Sequence, residues 1–335
     1  MASTQQNHTD IPAADARSWL LVSAAHSRHS TETNAGAADA VIYDLEDGVV
    51  PSARPTAREA LHLWFSRGGT GWVRINPAES EDWSRDLDAL AATPGLLGVM
   101  LAKCESAEHV TETAARLPAR TLVMALVESA LGIERAYDIA SAQPTFRIAL
   151  GSNDFRRDTG AADLAPALSY ARGRLVVASR AAGLPGPIDG PTLTTAEDPL
   201  TDALTVTRTM GMSGKLCMHP GQAPVINRAL SPTDTDIDWA RQIIDRLGVD
   251  GARIENGSDL RNSPELGRSA ASPPSSRRRA STSCRRMPTD SLPASKVSPS
   301  CPTQDARRGF RPPPSCSRTS PRTGANGGPT TRWAH

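Results

Sequence analysis

The chain is poor in cysteine, and what it has is unevenly placed. Three of its five cysteines (Cys284, Cys301, Cys316) lie near the carboxyl end, and the body keeps only Cys104 and Cys217, each among apolar neighbours. No spacing suits a disulfide framework or a zinc site, which excludes small stapled folds and fits a protein of a reducing compartment, so a cytoplasmic location is expected. No apolar run approaches the ~20 residues that span a bilayer. The opening MASTQQNHTDIPAAD lacks a basic start followed by an apolar core, so no signal peptide is expected. No GxGxxG follows the first apolar run, which argues against dinucleotide binding. The body also lacks surplus positive charge. Residues 261–335 hold thirteen arginines, one lysine and three acids, so this tail carries +11, while the net charge of +1 leaves −10 for residues 1–260. An acidic body makes nucleic acid an unlikely partner for it.

What is present is a rhythm. After a polar lead-in over 1–16, expected to be disordered, short apolar runs alternate with helix-like segments. The runs are Trp19–Ser23, Ala40–Tyr43, Gly71–Asn76, Leu96–Leu101, Thr121–Val127, Arg147–Gly151, Pro187–Leu193 and Lys215–Met218. Helices are expected over His29–Ala37, Pro51–Phe65, Asp82–Ala92, Ser106–Leu117, Ala130–Ala140, Ala167–Ala182, Asp198–Met210, Gln222–Leu230 and Asp234–Leu247. Near-continuous apolar runs of this length are the mark of parallel strands buried on both faces. Eight of them within residues 17–250 predict a (β/α)₈ (TIM) barrel, with an open doubly wound sheet as the alternative.

In such barrels the chemistry sits at the carboxyl ends of the strands. Taken in order, those ends read His26 and Arg28, Asp44/Glu46/Asp47, Arg74/Asn76, Lys103, Glu128, Asp154, Asp189 and His219. Glu128 and Asp154 each close an apolar run on neighbouring strands. Two carboxylates on one rim suit a hard divalent cation such as Mg²⁺. Each could equally be an N-cap or first-turn acid of the following helix.

The ordered set RSWLLVSAA, ADAVIYDLEDGV, VRINP, LAKCESAE, ALVESALGI, LGSNDFRRDTGA, ARGRLVVASRAAGLP and GKLCMHPGQAPVIN resembles the citrate lyase β-subunit family, CoA-ester lyases within the HpcH/HpaI aldolase group. The resemblance runs from Arg17 to about Leu247. It implies a barrel that binds Mg²⁺ and a coenzyme A thioester, makes or breaks a carbon–carbon bond, and assembles as a trimer or hexamer. It places the metal ligands on Glu128 and Asp154 and the substrate-binding arginine on Arg74. Arg74 and Glu128 would then be the residues that touch substrate and reacting atoms. A guanidinium offers a fork to a carboxylate or a developing enolate oxygen; the plainer possibility for Arg74 is a salt bridge to the acidic box. That box, Asp44-Leu45-Glu46-Asp47, matches the lyase-type pattern, and would order metal-bound waters, orient Arg74, or form a solvated rim. Lys103 is expected to pair with a rim acid, and His219 to serve as a structural hydrogen-bonder.

Three departures from the pattern stand out. The loop after the first run is Ala24-Ala25-His26-Ser27-Arg28 instead of a Gly-Asx/Asp-Arg-Pro loop. The fifth box is Glu128-Ser129-Ala130-Leu131-Gly132, without the usual arginine. Beyond Leu260 the chain turns to Arg, Ser and Pro, which cannot bury a core. Such a composition marks a basic disordered tail or a shifted reading frame in a GC-rich gene, which resequencing would decide. The expectation is a Mg²⁺-dependent lyase for a 3-hydroxyacyl-CoA or related hydroxy acid. The rivals are a CoA-independent 2-keto-acid aldolase and a non-catalytic paralogue with a basic binding tail.

Overall fold

The computed structural model describes residues 11–26 and 37–247. Eight parallel strands close into a barrel in sequence order: β1 Ser18–Ser23, β2 Ala40–Asp44, β3 Gly71–Ile75, β4 Leu96–Leu101, β5 Leu122–Val127, β6 Thr145–Leu150, β7 Ile188–Asp189 and β8 Gly214–Cys217. The ring is sealed where Trp19 and Leu20 pair with Leu216 and Cys217. Outside it lie α1 Arg54–Ser66, α2 Glu81–Leu90, α3 Ala107–Ala115, α4 Ala130–Glu134, α5 Ala136–Ser141, α6 Ser152–Thr159, α7 Ser169–Ala181, α8 Glu197–Thr209, α9 Gln222–Leu230 and α10 Asp234–Leu247. None is long and apolar enough to cross a membrane.

Alternation along each strand sorts two cores. Trp19, Leu21, Ile42, Trp72, Met100, Met124, Leu126, Ala149, Ile188 and Leu216 fill the barrel. Their neighbours in sequence, such as Tyr43, Val73, Val99, Val123 and Ile148, pack outward against the helices. This period of two decides which residues reach the mouth. Asp44 follows Ile42, Arg74 follows Trp72, and Glu128 follows Leu126, so three inward files each end in a charge.

Several boundaries differ from those expected. β7 is two residues long, because Pro187, Gly190 and Pro191 interrupt the run and proline gives no donor to a ladder. The helix after β5 is split at Arg135, whose N–H is shared between Ile133 O and Leu131 O. A helix, α6, was not anticipated after β6. It places Asp154 in a first turn and not at the end of the strand, and Gly160 closes it at φ 72°. The segment 11–16 is part of the barrel's floor, not a disordered lead-in: Ala16 is fully buried, and the carbonyls of Ala13 and Ala16 accept bonds from Arg147. The helix expected over His29–Ala37, Arg28, and the tail from Arg261 lie outside the described residues.

At that floor Arg147 is wholly buried, with no acid among the described residues in hydrogen-bond contact. It donates to Gly186 O, Ala13 O, Ala16 O and Ser213 Oγ, and stacks 5.6 Å above Trp19. Burial pushes its pKa down to about 9.

Candidate active site

The loop leaving β2 is built on Asp44. Its Oδ1 accepts the Glu46 N–H at 2.9 Å and its Oδ2 the Gly48 N–H at 2.8 Å. Gly48 allows this closeness, since a methyl group there would overlap Asp44 Oδ2. The same carboxylate receives Arg74 as a fork, Nε to Oδ1 at 2.7 Å and Nη2 to Oδ2 at 2.5 Å. One edge of Arg74 is therefore occupied by the acidic box, the arrangement weighed above as the plainer possibility, and its Nη1 lies beside Glu46. Burial opposes the charge on Arg74, but Asp44, Glu46 and Glu128 more than offset it and raise its pKa.

Glu46 points inward and is buried, while Asp47 sits half-exposed at the turn, as the alternation predicts. Glu46 Oε1 takes Lys103 Nζ at 2.6 Å. Its Oε2 lies 3.2 Å from Arg74 Nη1 without hydrogen-bond geometry, leaving a buried oxygen with no hydrogen-bond partner. Burial raises the Glu46 pKa against the pull of Arg74 and Lys103.

Glu128 ends the β5 file, and its side chain is almost wholly buried. Its Oε1 accepts the Lys103 backbone N–H at 2.7 Å. Its other oxygen packs on Gly151, where a methyl group would collide with it. Burial, and then the facing charge of Glu46, push its pKa up to about 8, with Asp154 adding to the rise. Asp154 is thus within electrostatic reach of Glu128. Its Oδ1 takes Arg157 Nη1 at 2.7 Å. No group of three His, Cys, Asp or Glu able to hold a metal occurs among the described residues. Two carboxylates of hard oxygen character, a raised Glu128 pKa and a Glu46 oxygen that accepts no hydrogen bond fit an ion such as Mg²⁺, which usually takes one or two carboxylates and keeps several waters.

Some supporting residues were not singled out by the sequence. Asp86 on α2 accepts the Asn76 N–H, Asn76 Nδ2 and Arg58 Nε, and Asn76 Nδ2 also reaches Leu45 O at 3.1 Å. Arg58 and Arg54 share Asp82. This network braces the backbone of the acidic box from behind. Only Asn76, at a strand end, carried a signal; Arg58 and Asp86 are helix residues far apart in sequence. Asp189 belongs elsewhere. It points into the helix layer and is bound by Arg172, Thr207 and Lys215 in a buried cluster. His219 is exposed, and its Nδ1 accepts the Gly221 N–H. It lines a separate cavity of about 220 Å³ with Glu197, Leu200 and Gln222, away from the carboxylates. Gln222 staples the loops there, accepting from Met218 and His219 and donating to Thr192 O and Thr194 O.

Residues 17–220 match the HpcH/HpaI aldolase/citrate lyase family, and residues 235–271 match the HpcH/HpaI aldolase C-terminal domain, a stretch that runs past Leu260. The chain is 35% identical over 237 residues to a citrate lyase subunit beta-like protein of Mycobacterium tuberculosis, covering 68% of this chain and 83% of that one. It is 32% identical over 259 residues to a (3S)-malyl-CoA thioesterase of Cereibacter sphaeroides, covering 72% and 90%. It is similar in fold to the crystal structure of CitE from M. tuberculosis in complex with magnesium, acetoacetate and coenzyme A, with a TM-score of 0.62, 31% identity, and coverage of 77% and 97%.

Proposed function

The chain belongs to the HpcH/HpaI aldolase/citrate lyase family, and from that premise we propose that it is a Mg²⁺-dependent carbon–carbon lyase acting on a 3-hydroxyacyl-CoA. The observation that carries the reading is the buried Glu128, pinned by the Lys103 N–H, pressed on Gly151 and facing Glu46. Such an excess of desolvated negative charge is stable when a cation offsets it.

Glu128 and Asp154 would hold the ion, with waters and substrate oxygens completing its shell. When bound, Mg²⁺ polarises carbonyl oxygens and offsets negative charge that develops on them. The remaining work falls to the chain's own side chains. Asp44 locks Arg74 through one edge, so the Nη1 side is held toward the mouth without freedom to turn. Lys103 and Arg74 both flank Glu46 and counter the rise that burial gives its pKa. In the proposed reaction the substrate's hydroxyl proton leaves to a base. The carbon–carbon bond breaks, its electron pair passes to the thioester fragment as an enolate, and the hydroxyl carbon becomes the carbonyl of a keto acid. Arg74 faces that developing charge.

The malyl-CoA thioesterase likeness motivates a second reading, hydrolysis of the thioester alone. Malyl-CoA and citryl-CoA, assayed separately for keto acid and for free thiol with and without Mg²⁺, decide between them. Keto acid without free thiol supports the lyase. Free thiol without keto acid supports the thioesterase. Turnover of free 4-hydroxy-2-keto acids in place of either supports an aldolase. Full activity in Glu128→Gln sinks the proposed site.

A further inference from the structure

Lys103 has a backbone that its side chain does not explain. It is one of two described non-glycine residues at positive φ, at 49°, a conformation uncommon outside glycine, asparagine and aspartate. Its neighbours are held in the barrel's ladder: the Ala102 N–H donates to Ile75 O on β3, and the Cys104 N–H to Leu126 O on β5. Between these anchors the 103 N–H is turned out of the ladder and donates to Glu128 Oε1 at 2.7 Å. From the same residue, Nζ reaches across the mouth to Glu46 Oε1 at 2.6 Å. One residue on the β4 exit thus holds an acid of the β2 loop with its side chain and an acid of β5 with its main chain.

We propose that Lys103 is the positioning residue for Glu128, and that it acts through its left-handed backbone as much as through its charge. The strain is kept because, with Cys104 anchored to Leu126 O, an ordinary φ at 103 is reached only by turning the 102–103 peptide, and its N–H with it, away from Glu128. This inference rests on the reading that Glu128 holds the cation. It adds that the aim of the carboxylate is set by a backbone angle at a residue where glycine would be the unstrained choice, and where lysine is kept for Glu46.

A set of uncharged variants separates the two roles. Lys103→Gly, Lys103→Asn, Lys103→Gln and Lys103→Val all remove the ion pair to Glu46, but they differ in tolerance of positive φ, with glycine the most tolerant and valine the least. Mg²⁺ affinity is measured by calorimetry on the full chain, and hydrogen–deuterium exchange is followed at the 103 amide without metal. The expected order of affinity is Gly and Asn together, then Gln, then Val, with Val about tenfold or more below Gly; this corresponds to a single misaimed ligand contact. The 103 amide is expected to exchange slowly in the wild type and in Lys103→Gly, and fast in Lys103→Val and in Glu128→Ala. Equal affinities across the four variants, or an order that follows side-chain length, would overturn the backbone role. A wild type that binds no Mg²⁺ but keeps an amide protected in a Glu128-dependent way would refute the metal reading and leave the clamp standing. An unprotected amide in the wild type overturns the clamp itself.

Discussion

The two ends of this barrel bury charge in opposite ways. At the floor, Arg147 has no acid among the described residues in hydrogen-bond contact and yet directs its donors to three carbonyls and a hydroxyl. At the mouth, Glu46 and Glu128 face each other with two cations at hand, and one Glu46 oxygen still lacks a hydrogen bond. At the floor the buried cation is met by acceptors of its own chain. The mouth is over-supplied with acceptors and incomplete without a visitor. A (β/α)₈ barrel keeps stability at one face and chemistry at the other, and here the division is visible as an inventory of donors and acceptors.

That contrast can be broken from either end. The largest effect is expected at the mouth. Glu128→Gln should lower Mg²⁺-dependent turnover by about 10³-fold or more, the scale of a transition-state charge contact, while the apparent melting temperature stays level or rises because a neutral isostere replaces a buried acid. A steady-state assay beside calorimetry checks both halves, and a melting temperature that collapses would show Glu128 to be structural. Asp44→Asn should follow, at about 10²-fold in kcat, since the lost fork frees Arg74 to turn; full activity would show that Arg74 needs no brace. At the floor the signs reverse. Arg147→Met should cost about 3 kcal/mol of stability by denaturant unfolding, because the carbonyls of Ala13, Ala16 and Gly186 each lose a charged donor, yet the folded fraction should keep its kcat. The smallest effect concerns pH. Glu128 ionises only near pH 8 in the metal-free protein, so Mg²⁺ must displace a proton below that pH. Its apparent affinity should fall by up to about tenfold per unit as pH drops from 8 toward 6. The metal-free chain should itself lose stability as pH rises toward 8, because the folded state holds a proton that the unfolded state has already released. Glu128→Gln should flatten both slopes.

The sequence made most of the mouth legible because it is written at strand ends. Buried parallel strands read as apolar runs, and the charge that stops a run reaches the rim, as Asp44 and Glu128 do; Arg74 lies one residue inside the end of its strand, and its role is what the family resemblance implies. β7 was overextended because a run broken by Pro191 still looks like a strand when read by its apolar residues alone. α6 was missed because SNDFRRDT buries only Ser152 and Phe155, too little to leave a helical stripe. Arg147 gave no sign of its task, since a charge at the start of a strand is ordinary there, and its partners include carbonyls 131 and 134 residues away. The pairing of Asp44 with Arg74 was open in sequence and closed by geometry, because adjacent registered strands place residues 44 and 74 side by side.

Two of the mouth's acids are each seated on a glycine: Asp44 on Gly48 in a turn, and Glu128 on Gly151 at the start of α6. In each case a single added carbon would claim the volume a carboxylate oxygen now fills. Under mutation these positions therefore behave as linked pairs. A glycine change at 48 or 151 should destabilise the fold while the acid is present and be far milder for stability once the acid has been replaced by something smaller. Mutational paths out of this chemistry are then asymmetric, with the acid lost first and the glycine afterwards. A library that randomises only the acids would explore a much narrower set of outcomes than one that varies each acid together with its glycine.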